Sequence, residues 1–530
     1  MKGLDKELRA IERFAKDLDT RPPLPEASDY ELEIHSIQVG RLMDAFSLVR
    51  DLPRGSRGFV AEWDELLGPL FHKLFVMGAD IDRFTLAEAW RPILLEEEIL
   101  DGYLRATTAV AASLIDFYHT QEALEVCRLG REASAGNSSA ALANLVNTEG
   151  VVLSNLGQYD LSESCYSEAM HLAEALPEEG FVTWTRIPKK DFSNRVALNI
   201  LDSYLRRGYL SAGKERARHA RTARFLLARF RQSRLTEAHK RMLLVDEAEI
   251  CIVEGRLMEA KSLLTPLLTG TSRKNPQALQ FTAVHARLLS YIAMLRGDWD
   301  AAYGWIRKAL KEGIRYCYGG EEQLIMRQVE AVLKGLVGAR ETESHNILVQ
   351  DLVKLLEDKD WYTGRSHSRG VSTLATKLGE VLNASDGARI DLKVLETAGL
   401  LHDVGKLRTP WSLLNKPTPI TPKERSLLEE HSLHGGDILR KIGMAYLAPI
   451  VEGHHEHMDG SGYPYGRPPD LMSATIGVSD VFEAATTPTR RYKTPKTKDT
   501  ALAELSAMSG TRYNAEVVKA LSRVVTSEGG

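Results

Sequence analysis

The chain has 530 residues, of which 43% are hydrophobic and 26% charged, a composition typical of a globular protein of two to four domains. Its formal net charge of −4 gives no overall basic surface, so neither a DNA nor a membrane partner is expected. It has no apolar run long enough to span a membrane, no signal-peptide pattern and 4 cysteines without a CxxC pair, which together predict a cytoplasmic protein.

The region 35–338 is predicted to be helical throughout, after an N-terminal segment at 1–34. Its clearest pattern places Gly150 in one helix, a turn at Gly157 and Tyr166 on the inner face of the next helix. A glycine at a helix end permits the turn, and small residues let two helices approach closely. The pattern therefore predicts a helical hairpin.

The same pattern returns around Gly255 and Gly297, with a weaker copy around Gly208. It resembles the tetratricopeptide repeat, although the turn glycines are more widely spaced than that family's repeat of about 34 residues. An irregular helical bundle is the alternative, and both interpretations are all-α. Because stacked hairpins present a concave surface to peptides or helices, this region is expected to bind a protein partner.

The apolar pattern lapses between 338 and 345, where a domain boundary is predicted. The remaining region, 345–530, again shows helical periodicity, so the whole chain is predicted to be all-α. Seven of the 15 histidines fall between His367 and His457. Because histidine is the commonest metal ligand and the usual acid–base group at neutral pH, the chemistry is predicted to lie in this window.

Candidate metal ligands in this window lie at helix ends or inside apolar helices, where a side chain can be aimed rigidly at one point. Five histidines and two aspartates exceed what one tetrahedral zinc needs, and no cysteine is among them. Two octahedral ions, iron or manganese, are therefore predicted. The predicted ligands are His367, His402, Asp403, His431, His454, His455 and Asp480.

Two such ions that share one aspartate bind phosphate oxygens and activate a water for attack on phosphorus. Lys406 follows Asp403 by three positions, which places its charge where a phosphate would bind and develop negative charge. His402, Asp403 and Lys406 are therefore the predicted catalytic residues, and Lys406 is also predicted to contact the substrate. The alternative for Lys406 is an ordinary surface lysine.

Residues 345–525 resemble the HD-GYP domain, a subgroup of the HD phosphohydrolases. The matching segments are HDVGK at 402–406, HSLHGGDIL at 431–439, HHEHMDGSGYP at 454–464 and DVFEAAT at 480–486. The third segment carries every fixed position of the family motif HHExxDGxGYP. The resemblance implies hydrolysis of cyclic di-GMP to pGpG, and in some members to GMP, by a hydroxide that bridges two divalent metal ions, with Asp403 as the bridging ligand.

The resemblance also assigns residues to the substrate. Arg490 and Lys493, in the segment RRYK, correspond to family residues that hold the dinucleotide phosphates, whereas Gly462 and Tyr463 are expected at the mouth of the pocket. A forked guanidinium suits a phosphate, and a tyrosine face can stack on guanine. The alternative for the basic segment is a solvated tail. Thr363 stands where members with a third metal carry Glu, which favours a two-metal site.

Two alternative functions stay open. One is hydrolysis of another cyclic dinucleotide such as cyclic GMP-AMP, because base selection depends on the shape of the pocket. The other is a catalytically silent scaffold that binds a dinucleotide or a protein partner, which the intact set of ligands disfavours. Association of two copies of the chain into a homodimer is a further alternative.

Overall fold

The computed structural model describes residues 80–179, 181, 183, 188–231, 237–269, 276–312, 321–339, 344–360, 363, 366–386, 389–416, 419–487 and 494–528, together with 60, 61, 64, 65, 67 and 71. Across these residues the secondary structure is helical and contains no β-strand, which confirms the predicted all-α class. None of the helices within these ranges is both long and apolar enough to span a lipid bilayer. The predicted N-terminal segment at 1–34 lies outside them.

By its internal contacts the chain divides into two compact units. The first comprises Met1–Arg296 with Glu312–Leu324, and the second comprises Gly297–Lys311 with Ile325–Gly530. The boundary predicted at 338–345 from the lapse in the apolar pattern stays a prediction.

The described helices of the first unit follow one another with short turns, and sequence neighbours pack together. Cys127, Cys165 and Cys251 are buried among them as free thiols, as expected for core residues. The helices are α1 Asp80–Glu96, α2 Leu100–Asp116, α3 Thr120–Ala133, α4 Ala140–Asn155, α5 Tyr159–Ala175, α6 Lys189–Leu210, α7 Gly213–Phe230, α8 Glu237–Val253, α9 Leu257–Thr269 and α10 Pro276–Leu295.

The glycines of the predicted hairpins have two different roles. Gly157 and Gly255 adopt positive φ angles of 76° and 81° in the turns after α4 and α8, a conformation that glycine adopts without strain. Gly150 lets α5 approach α4, because a Cβ atom there would lie 2.5 Å from the ring of Tyr166. The hairpins are therefore present, while the tetratricopeptide-like assignment stays a prediction.

The prediction that the weaker copy around Gly208 contains a turn at that glycine was wrong, because Gly208 does not end a helix. It lies within α6, where a Cβ atom would come 2.6 Å from the side chain of Val253. The chain instead turns after Leu210, and Gly213 has the positive φ angle of 54°. Gly208 is thus a packing glycine rather than a turn glycine.

The second unit contains the predicted metal ligands. Its described helices include two short 3₁₀ helices, η1 and η2. In chain order they are α11 Trp299–Glu312, α12 Glu321–Ala339, α13 Ser344–Lys359, α14 His367–Asp386, α15 Leu392–Leu401, η1 Val404–Arg408, α16 Trp411–Leu414, α17 Pro422–Glu429, α18 His431–Lys441, η2 Ala445–Leu447, α19 Ala448–Glu452, α20 Leu471–Thr486, α21 Lys498–Ala507 and α22 Ala515–Glu528.

Helix α14 is central to this unit and packs against α15, α20 and α22 through buried aliphatic side chains such as Leu378 and Leu382. Side-chain caps fix where the surrounding helices begin. The Asp391 carboxylate accepts backbone N–H groups at the start of α15, and Asp470 does the same for α20. Capping thus fixes where the two helices start that lead to His402 and Asp480, and core packing holds these helices against α14.

Candidate metal centre

Six helical elements deliver the seven predicted ligands to one place. His367 begins α14, His402 and Asp403 lie between α15 and η1, His431 begins α18, His454 and His455 follow α19, and Asp480 lies inside α20. All are buried except His455, which is partly buried. The structure brings these residues together at one place in the second unit.

The first group of potential ligands consists of His367, His402 and Asp403, whose donor atoms all lie within 4.8 Å of one another. Asp480 adjoins it, with Oδ1 at 3.1 Å from His367 Nε2. The buried Nε2 atoms of His367 and His402 lie near carboxylate oxygens, yet they satisfy no hydrogen-bond geometry with any described residue. Such unsatisfied inward-facing nitrogens fit a metal site.

The second group consists of His431, His454 and His455, whose donor atoms also lie within 4.8 Å of one another. The Nε2 atoms of His431 and His454 are 3.5 Å apart. Two neutral imidazoles that aim their acceptor nitrogens at the same point do not stabilise each other, whereas a cation between them would satisfy both.

Asp403, a member of the first group, also faces the second group. Its Oδ2 atom is 3.2 Å from His402 Nε2, and its Oδ1 atom is 3.5 Å from His431 Nε2. One carboxylate therefore offers an oxygen to each group, which is the arrangement required of a ligand shared by two ions.

The outer nitrogens of three histidines are held by backbone carbonyl groups of the preceding turn. The Nδ1 atom of His402 lies 2.9 Å from the Gly399 carbonyl oxygen, and that of His431 lies 2.7 Å from the Leu428 carbonyl oxygen. His454 Nδ1 contacts the Val451 carbonyl oxygen in the same way. Because an Nδ1–H must donate in each contact, Nε2 is left with its lone pair facing the centre.

The electrostatics favour the protonation states that metal ligands need. Burial opposes ionisation of Asp403, but Lys406 and His402 lower its pKa well below the usual value. Burial and the neighbouring histidines lower the pKa of His454 to about 3 and that of His455 well below its usual value. These shifts favour an ionised Asp403 carboxylate and neutral imidazoles at His454 and His455 at neutral pH.

His367 is the exception. Burial opposes its charged form, but Asp480 and Glu483 raise its pKa to about 9. The carboxylates of Asp480 and Glu483 on its two nitrogens therefore favour a positive charge at this histidine.

Glu483 has a role that the sequence did not reveal. Its carboxylate contacts Nδ1 of His367 and thereby orients the ring, a contact that links residues in α14 and α20. Carboxylates that hold the outer nitrogen of a metal-binding histidine fix both its tautomer and its orientation. The sequence did contain an indication of this role, because Glu483 is a second carboxylate one turn after Asp480 in an otherwise apolar helix. The spacing along the chain, however, does not connect Glu483 with His367.

Asp360 is a second carboxylate that sequence reasoning missed. Lys406 Nζ lies 2.7 Å from Asp403 Oδ2 and 3.6 Å from Asp360 Oδ2. Burial opposes the charge on Lys406, but the two aspartates raise its pKa, so the lysine is held as a cation beside the shared ligand. Asp360 also accepts the backbone N–H of Thr363 at 3.0 Å. Thr363 is the residue that stands where members with a third metal carry Glu.

The loop after His455 is tightly folded. Gly462 packs against the backbone of residues 455–457, where a Cβ atom would lie 2.5 Å from the His457 nitrogen. The Glu456 carboxylate accepts the backbone N–H of Arg467 at 3.1 Å, and the Tyr463–Pro464 peptide is cis. Tyr463 is thereby placed over His455, with ring centroids 4.7 Å apart and an interplanar angle of 33°.

A cavity of about 770 Å³ opens beside the centre, within the size range of small-molecule sites. Six of the predicted site residues line it, namely Asp403, Lys406, His431, His455, Tyr463 and Asp480. Lys496 also lines it and is paired with Glu504 at 2.6 Å. The predicted phosphate-binding residues Arg490 and Lys493 lie outside the described residues.

The remaining two histidines of the window do not join either group. His434 Nε2 is 3.9 Å from Glu430, and His457 Nδ1 is 2.9 Å from Ser461 Oγ while Arg512 donates to its Nε2 atom.

The metal-free protein is expected to lose stability as the pH falls below about 6.5. In the unfolded chain the His454 imidazole binds a proton near pH 6.5, whereas burial and the neighbouring histidines lower its folded pKa to about 3. The unfolded state therefore binds more protons in this window, and the free energy of unfolding falls by about 1.4 kcal/mol per pH unit for this group.

Urea unfolding of EDTA-treated protein at pH 7.5, 6.0 and 5.0 measures this dependence. His454→Asn removes the titrating group and should flatten the slope relative to the parent chain. An unchanged slope in the variant would contradict the assignment of the pH dependence to His454.

Comparison with known proteins shows what this region is similar to. The family model of the HD domain matches residues 351–517. The helical fold and the histidine–aspartate groups of these residues agree with that similarity.

Individual relatives match the same part of the chain. A cyclic di-GMP phosphodiesterase of Thermotoga maritima is 33% identical over 183 residues, which is 33% of this chain and 48% of the relative. The cyclic di-GMP phosphodiesterase response regulator RpfG of Xanthomonas campestris is 34% identical over 178 residues, covering 32% and 46%. The 3′3′-cGAMP-specific phosphodiesterase 2 of Vibrio cholerae is 30% identical over 192 residues, covering 35% of each chain. The chain thus spans less than half the length of these curated relatives.

Proposed function

We propose that this chain is a metal-dependent phosphodiesterase of the HD-GYP type that hydrolyses a cyclic dinucleotide, with cyclic di-GMP as the preferred substrate. The observation that carries the proposal is the pair of three-residue ligand groups, which Asp403 of the first group connects to His431 of the second, beside a cavity of about 770 Å³. The names of the relatives support the substrate class, since they are phosphodiesterases for cyclic di-GMP or 3′3′-cGAMP.

The donor set fits two divalent ions, and nitrogen and oxygen ligands without thiolate favour iron or manganese. Such ions would supply an activated water and polarise a bound phosphodiester. In the chain itself, Asp403 presents one oxygen to each group, while His402 and His431 hold their Nε2 lone pairs toward the centre.

Lys406 is proposed to stabilise the negative charge that develops on the phosphate. Its ammonium group lines the cavity beside Asp403 and Asp360, which keeps a positive charge next to the place where a phosphate would bind. Tyr463 is proposed as a stacking surface for a base, and Arg490 and Lys493 as phosphate ligands, with Gly462 allowing the loop to turn closely beside His455.

Hydrolysis of 3′3′-cGAMP is the second candidate function. It is favoured by the Vibrio cholerae relative, whose identity of 30% is close to that of the cyclic di-GMP phosphodiesterases. We also propose that the helical hairpins of the first unit bind a protein partner. A regulatory signal would act through this unit because the proposed metal ligands all lie in the second unit.

The test is hydrolysis by the purified full-length protein loaded with Mn²⁺, or with Fe²⁺ under anaerobic conditions. Cyclic di-GMP and 3′3′-cGAMP are supplied separately, and linear products are separated by chromatography. We expect pGpG from cyclic di-GMP, about two metal ions per chain, and no product from the double variant His402→Ala/Asp403→Ala. Absence of linear product from both substrates with both metals would contradict the proposal.

A further inference from the structure

Two charged residues on one face of α17 border the cavity and have no role in the metal centre. Arg425 and Glu429 are four residues apart, which places them one above the other on the same side of the helix. Both line the cavity that is also lined by His431, His455 and Tyr463. Their position therefore faces whatever binds next to the proposed metal ions.

Neither charge is neutralised by a described residue. Arg425 and Glu429 form no ion pair and no side-chain hydrogen bond with the residues that the structure describes, although their i,i+4 spacing would permit a pair. In contrast, the other cations at the cavity wall are occupied: Lys416 is bound to Glu424 at 2.7 Å and Lys496 to Glu504 at 2.6 Å. The guanidinium of Arg425 and the carboxylate of Glu429 are therefore open to a ligand in the cavity.

Helix α17 holds the two side chains rigidly. Thr421 and Glu424 form a capping box at its start, in which the buried Glu424 carboxylate accepts the Thr421 backbone N–H at 2.8 Å. Its last residue, Glu429, lies two positions before His431, so the spacing from this side chain to the metal centre is fixed by the backbone. A recognition group on a capped helix is positioned more accurately than one on a loop.

Arg425 and Glu429 share this cavity with Tyr463, whose ring lies over His455 with centroids 4.7 Å apart. A base that stacks on the Tyr463 ring would therefore occupy the cavity that the carboxylate and the guanidinium also line.

The chemistry of the pair matches one base. Guanine presents two adjacent N–H donors, at N1 and N2, to a carboxylate, and two acceptors, O6 and N7, to a guanidinium. Adenine has an unprotonated N1 where guanine has an N–H donor, so a carboxylate there would face a second acceptor. It has an amino group where guanine has O6, so a guanidinium there would face a second donor. The arrangement thus discriminates between the two purines.

We propose that Arg425 and Glu429 form a guanine-binding subsite, in which Glu429 accepts the N1 and N2 hydrogens and Arg425 donates to O6 and N7. This inference rests on the proposed function for the identity of the ligand as a cyclic dinucleotide. It adds the residues that make the enzyme prefer cyclic di-GMP to a cyclic dinucleotide composed of adenine.

The test compares kcat/KM for cyclic di-GMP, cyclic di-AMP and bis(p-nitrophenyl) phosphate, a phosphodiester without a base. For Glu429→Gln we expect the preference for cyclic di-GMP over cyclic di-AMP to fall roughly 10- to 100-fold, with a larger loss on cyclic di-GMP than on the base-free ester. Arg425→Ala should act in the same direction. Glu380→Gln, an exposed carboxylate on α14, is the matched control and should change none of the three values.

Equal losses of kcat/KM on all three substrates in Glu429→Gln would overturn the inference for Glu429. Equal losses on the two dinucleotides in Arg425→Ala would indicate that Arg425 binds a phosphate and would overturn its proposed contact with guanine. Calorimetric binding of the two dinucleotides separates this inference from the proposed function. Binding of cyclic di-GMP that Glu429→Gln weakens selectively, without hydrolysis by the parent protein, would keep the subsite and reject the phosphodiesterase. Absence of binding to both dinucleotides would overturn both.

Discussion

Asp403→Asn is expected to abolish hydrolysis and to release bound metal, with kcat/KM falling by at least roughly 100-fold. Asparagine preserves the shape of the side chain but removes the charge and replaces one of the two oxygens that face His402 and His431. Loss of a residue that only orients a ligand typically costs 10- to 100-fold, so loss of the ligand shared by both groups should cost more. Metal analysis of the purified variant and its rate on cyclic di-GMP measure the effect.

The matched control is Asp499→Asn, which makes the same chemical change at an exposed position in the first turn of α21. It should retain the metal content and the rate of the parent protein. Parental metal content together with parental activity in Asp403→Asn would show that this carboxylate is not a shared ligand.

Gly405→Ala is expected to lower the free energy of unfolding of the second unit by roughly 4 kcal/mol or more and to disrupt the proposed metal centre as well. An added Cβ atom would overlap the carbonyl oxygen of His431 and the backbone nitrogen of Gly435. Because both are backbone atoms, no side-chain rotation can relieve the contact, and η1 has to move away from α18. That movement would separate Asp403 from His431.

Gly304→Ala tests whether the effect comes from this contact rather than from the loss of a glycine. A Cβ atom on Gly304, in α11, would meet no atom within 4 Å. In a helix interior this change should be neutral or stabilise by up to about 1 kcal/mol. Thermal unfolding of both variants, followed by circular dichroism, gives the comparison, and similar melting temperatures for the two would refute the packing argument.

Local patterns in the sequence identified most of what is local in this protein. Helical periodicity predicted the all-α class, and the turn glycines Gly157 and Gly255 have the positive φ angles expected of them. Gly208 shows the limit of this reasoning, because a glycine required for close helix packing has the same sequence signal as one required for a turn. The contact with Val253 that distinguishes the two belongs to the tertiary structure.

The candidate site divides in the same way. The sequence by itself determined the seven residues that converge, since adjacent pairs and isolated aspartates in apolar helices are visible without coordinates. Only the tertiary structure decided that they form two groups joined by Asp403, that Glu483 orients His367, and that Arg425 and Glu429 face the same cavity. The physical reason is that these relations are distances between helices far apart in the chain, which packing sets and which no local spacing encodes.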